Sequence, residues 1–121
     1  MSNHLHLICR RRENDLKEFI GRYKSVTAKK ILAAIKSDIR ESRKEWMLRE
    51  FRHFATKNRQ YGEYHVWQYT DHPTLLYDNE IIDQKRDYIH FNPVKAGIVT
   101  DPADYLYSSA CPDSPLDVLE L

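Results

Sequence analysis

Asp87-Tyr88-Ile89-His90-Phe91-Asn92-Pro93-Val94-Lys95-Ala96-Gly97 reads as the C-terminal end of a helix. Proline disfavours α geometry at the residue before it, which puts the expected stop near Asn92. Gly97 supplies a turn position that tolerates positive φ. Tyr88 and Asn92 are four apart and share one helix face. A phenol and a carboxamide on that face could serve as nucleophile and metal ligand if partners stand elsewhere. The candidate partners are the imidazoles of His4-Leu5-His6 near the start of the chain.

Outward from this stretch, Asp78 or Asn79 is placed to cap the helix, which begins at about Glu80. Residues 64–69 are rich in aromatic and β-branched side chains and are expected to form a strand. Asp71-His72-Pro73 is a turn signal, residues 74–77 a short extended piece, and residues 97–99 a further short strand. At the other end, residues 3–9 alternate. Leu5, Leu7 and Cys9 can face a core, leaving His4, His6 and Ile8 on the opposite side. Two histidines at i and i+2 of one strand are a preformed pair of ligands. Asn14 or Asp15 can cap a first helix from Leu16, with an expected break or restart near Ser25-Val26-Thr27. A second helix is expected over about 39–56, with Trp46, Met47, Phe51 and Phe54 as its apolar set.

The length of 121 residues suits one domain, and 41% hydrophobic residues are enough for a modest core. No apolar run approaches the ~20 residues of a membrane span, and no signal-peptide pattern opens the chain. Cys9 and Cys111 make neither a metal spacing nor a disulfide framework, which fits reduced thiols and a cytoplasmic location. The net charge of +1 conceals an asymmetry. Residues 10–60 hold 16 lysines and arginines against 7 acids, a balance of +9; residues 61–121 hold 3 against 11, a balance of −8. Such a basic half either meets a polyanion or packs against the acidic remainder.

Asn3-His4-Leu5-His6-Leu7-Ile8 resembles the HUH motif, two histidines around a hydrophobic residue, of single-tyrosine transposases. Val66-Trp67-Gln68, Asp71-His72-Pro73 and the run from Asp87 to Val99 resemble the REP-associated branch of that family, and Pro102, Tyr105 and Tyr107-Ser108-Ser109-Ala110 fit its continuation. The resemblance covers residues 3 to 110. It implies an α+β, ferredoxin-like HUH nuclease fold over 1–110, here lacking the family's first strand, helix and strand. The sheet would then be incomplete, with packed helices, and a loosely ordered acidic tail would occupy 111–121.

By the same resemblance, the activity is metal-dependent nicking and strand transfer of single-stranded or hairpin DNA. Tyr88 would attack phosphorus and form a 5′-phosphotyrosine. A divalent ion, Mg²⁺ or Mn²⁺, would be held by His4, His6 and Asn92. A phenol becomes a useful nucleophile only on losing its proton, so the metal or nearby basic groups must assist it. Arg10, Arg11, Arg12, Lys24, Lys29 and Lys30 are candidates for phosphate contacts, with Ser25 and Thr27 adding hydroxyls. Tyr64 and Trp67 could stack on unpaired bases, but Trp67 is assigned to the core. The family implies a monomer or homodimer associated with the nucleoid. The rival reading is a catalytically inactive DNA-binding remnant.

Overall fold

The computed structural model describes residues 4–10, 15–57, 62–68 and 70–118. The chain divides into two compact units, one of Met1–Cys9 with Thr74–Leu121 and the other of Arg10–Pro73. Among the described residues, three α-helices, α1 (Leu16–Ser37), α2 (Lys44–Thr56) and α3 (Asn79–Lys95), are followed by a 3-10 turn at Pro102–Asp104.

In the Arg10–Pro73 unit, α1 touches α2. Asp15 occupies the N-cap position of α1 without a side-chain cap bond, and Asn14 lies outside the described residues. The break expected at Ser25-Val26-Thr27 does not occur. Thr27 fits the helix because its hydroxyl donates to the Tyr23 carbonyl one turn back (2.7 Å) and accepts the Trp67 indole N–H (2.9 Å). Between the helices, Asp38 Oδ1 accepts the Arg40 N–H (2.8 Å) and Glu41 Oε1 that of Arg43 (2.9 Å). These side chains offer the backbone a non-helical alternative, so α2 starts at Lys44 instead of residue 39.

In the other unit, the Asp78 carboxylate accepts the Ile81 N–H at 2.7 Å, the N-cap bond expected of it. The helix runs through Pro93 to Lys95 instead of stopping at Asn92. Pro93 costs only the bond to the Ile89 carbonyl, and the helix ends soon after it. Gly97, at φ +69°, donates to the Val94 carbonyl, and Ile98 donates to that of Pro93, both at 2.9 Å. This pair of bonds around a left-handed glycine is the Schellman ending. Residues 97–99 are therefore the close of α3 and not a strand.

The α+β, ferredoxin-like expectation is overturned: among the described residues there is no strand and no sheet. A strand exists only through a ladder to a neighbour. Residues 4–10 and 74–77 run without regular structure and pair with nothing in ladder fashion. Within residues 62–68, the His65 N–H goes to the Phe51 carbonyl of α2 (3.0 Å). The expected facing of residues 4–9 is also reversed. Leu5 and Leu7 are 50% and 51% exposed, while His6 and Ile8 are the better covered pair.

The expected modest core is thin. Ala55 of α2, at 3% exposure, is the buried hydrophobic residue, joined by Pro93 and Ser108 among the described residues. The tail over 111–118 folds into successive turns, in which Cys111 donates to the Ser108 carbonyl and Ser114 to that of Cys111, both at 3.1 Å.

Candidate active site

Residues at opposite ends of the sequence meet within the unit that holds α3. Tyr88 and Asn92 project from neighbouring turns of one helix face, and residues 4–9 bring both histidines to them. The His4 and His6 rings lie edge to face, with centroids 4.9 Å apart. His6 in turn meets the Tyr88 ring edge to face at 5.7 Å. The Asn92 amide nitrogen stands 2.9 Å from His6 Nε2. With the amide in this orientation its nitrogen donates, which corresponds to the His6 tautomer with Nε2 free to accept. Burial first, and the neighbouring His4 second, hold the His6 imidazole below its ordinary pKa. The neutral form, with a lone pair available, is the one that binds metal.

The donor set fits a hard or borderline divalent ion. Exchanging the amide nitrogen and oxygen by a half-turn leaves the side-chain shape unchanged. Asn92 would then present its oxygen beside the His6 lone pair. No group of three or more His, Cys, Asp or Glu side chains able to hold a metal occurs among the described residues. Two imidazoles and one carboxamide could hold a divalent ion with positions left open, a set that does not by itself select the metal.

Tyr88 is 47% exposed. Two ammonium groups absent from the sequence reading flank it: Lys95 Nζ lies 5.5 Å from the ring centroid and Lys85 Nζ 5.9 Å. Their positions, three before and seven after Tyr88, are the helical spacing that could have revealed them. His90 points elsewhere, as its position in the turn requires, and its Nε2 lies 2.9 Å from the Ser109 hydroxyl.

The remaining predicted DNA contacts belong to the Arg10–Pro73 unit. Arg10, Lys29 and Lys30 are exposed. Lys24 is already engaged, with Asp71 at 2.6 Å and the Gln68 carbonyl at 3.1 Å. Arg11 and Arg12 lie outside the described residues. Trp67 is partly buried against α1, its ring 6.2 Å from that of Tyr23, as its core assignment expects. The Tyr64 hydroxyl accepts from Arg52 (2.8 Å).

Comparison with known proteins gives one informative similarity. The chain is 28% identical over 109 residues to a protein of Haemophilus influenzae that carries the provisional name REP-associated tyrosine transposase. The chain is similar to a transposase. That agrees with the resemblance borne by the histidine pair and the tyrosine helix. The match takes in 90% of this chain and 54% of the relative, so the chain spans about half the relative's length. No family model and no solved structure matches it. No helix among the described residues is long and apolar enough to cross a membrane.

Proposed function

We propose that this chain carries the catalytic cluster of a transposase-type nuclease that cuts and rejoins single-stranded DNA, with Tyr88 as nucleophile. The observation that carries the reading is the convergence of His4, His6, Tyr88 and Asn92, with His6 in direct contact with both α3 side chains. The relative's name supports the same class of chemistry.

Tyr88 Oη would attack the scissile phosphorus as its proton departs. A Tyr88 Oη–P bond forms and the P–O3′ bond breaks, leaving a 5′-phosphotyrosine and a 3′-oxygen that takes up a proton. Because the new ester keeps the energy of the old one, a second 3′-hydroxyl can reverse the step on another strand without a nucleotide cofactor. Mg²⁺ or Mn²⁺ held by His4, His6 and Asn92 would supply Lewis-acid stabilisation of the charge growing on a non-bridging oxygen. His6 serves by staying neutral, and its contact with the Tyr88 ring keeps the phenol beside the ion's ligands. Lys29 and Lys30 on α1 would contribute sequence-independent contacts to DNA phosphates.

The test is cleavage of an end-labelled single-stranded hairpin in Mn²⁺ or EDTA. Mn²⁺-dependent release of a 3′-hydroxyl product, lost in Tyr88→Phe, is expected. Absence of cleavage by the parent chain, or survival of cleavage in Tyr88→Phe, overturns the reading.

A further inference from the structure

The geometry points to a phosphate grip made by Lys85 and Lys95 on either side of the nucleophile. Lys85, Tyr88, Asn92 and Lys95 follow one another at i, i+3, i+7 and i+10, a single stripe along α3. Both ammonium groups stand within 6 Å of the Tyr88 ring centroid. Neither has an ion-pair partner among the described residues. The nearest acids on the helix are already used: Asp83 and Asp87 both accept from Arg86, at 2.7 and 3.3 Å. Two cations with no direct carboxylate partner among the described residues therefore stand beside one exposed tyrosine ring.

An ammonium near a ring face gains only a weak attraction at an exposed site. That is too little to explain two unpaired lysines converging on one tyrosine as a stability device. A phosphodiester brought to Tyr88 Oη would carry its negative charge between them. As Oη bonds to phosphorus, charge builds on the non-bridging oxygens, and both cations can follow it. After the P–O3′ bond breaks, the phosphotyrosine diester keeps that charge in place. The lysines would thus hold the reacting phosphate before and after transfer, a role separate from the ligands His4, His6 and Asn92. The inference rests on the reading of Tyr88 as nucleophile, but the grip can be measured without turnover.

The experiment uses the full chain with Lys85→Ala, Lys95→Ala, the double alanine variant and the double Lys→Arg variant, each checked for helix content by circular dichroism. In a Tyr88→Phe background, binding of a single-stranded oligonucleotide is measured against salt. The double alanine variant should lower the slope of log K against log salt by about 0.7, one single-strand phosphate contact. The Arg pair should keep the slope. With Tyr88 present, the double alanine variant should form the covalent DNA adduct about 100-fold more slowly, the lower end of the cost of losing a charge-stabilising donor. The Arg pair should recover most of that rate. An unchanged slope overturns the grip, and so does an unchanged adduct rate in an active parent. A parent that forms no adduct sinks the strand-cutting reading alone. The slope then decides the grip by itself: a loss supports it and no change refutes it.

Discussion

His6 is the side chain on which the cluster turns, because it touches His4, Tyr88 and Asn92 at once. His6→Ala should weaken Mn²⁺ binding at least about 10-fold, the scale on which metal-site partners act. His90→Ala should leave it unchanged, since that ring is turned to Ser109. Electron paramagnetic resonance of bound Mn²⁺ measures both. Asn92→Asp should tighten the ion, because a carboxylate is a stronger ligand for Mg²⁺ or Mn²⁺ than an amide. Much of this was legible in sequence. The i, i+4 relation of Tyr88 to Asn92 follows from helix pitch alone, whereas the nearness of the two histidines to that face does not come from the strand that their alternation suggested. Lys85 and Lys95 were missed because a lysine on a helix is usually a solvated charge. Their helical spacing about Tyr88 was the available signal, and their nearness to its ring gives it weight.

The two ends of α3 rest on short-range chemistry. Removing the cap bond in Asp78→Ala should cost about 1 kcal/mol. Gly97→Ala should also destabilise, by more than the ~0.4–1 kcal/mol such a change yields at an unstrained site, because φ +69° suits only glycine well. Thermal melts followed by circular dichroism read both. His90 adds a pH dependence. Burial first, then the charge of Arg86, lowers its pKa below the ordinary 6.5, against an opposing pull from Asp87. The unfolded chain then binds the proton more readily than the fold. Stability is fully present above pH 6.5 and is lost as the pH falls through the depressed folded value; His6, shifted the same way, adds to the loss. A melting temperature that rises on acidification from pH 7 to 5.5 would contradict this. Caps and turns could be read from sequence because they need only neighbours. The strands could not, because alternation shows that residues 3–9 are able to pair and says nothing about a partner. The helix also passed through Pro93, where one lost bond so near the end costs little.

Taken whole, the chain buries little apolar side chain for its length. Leu5, Leu7, Leu75 and Tyr77 are all exposed, and no large side chain is fully covered among the described residues. The chain also spans 54% of its transposase relative. Denaturant sensitivity scales with the surface uncovered on unfolding. The urea m-value of the isolated chain should therefore sit at or below about 1 kcal/mol/M, the bottom of the usual range for small proteins. A steep, cooperative transition near 3 kcal/mol/M would mean a far larger core than this fold provides. A supporting shell this thin bears on activity, because catalytic groups need rigid surroundings to stay within reach of one another.

The most direct test of the account is to find which atom of the protein carries the cut strand. The parent chain is incubated with a single-stranded hairpin and Mn²⁺, digested with protease and nuclease, and its peptides are weighed by tandem mass spectrometry. The account predicts a nucleotide 5′-phosphate on Tyr88 and on no other of the eight tyrosines. A phosphate on a different tyrosine, or none from a strand that has been cut, would contradict it.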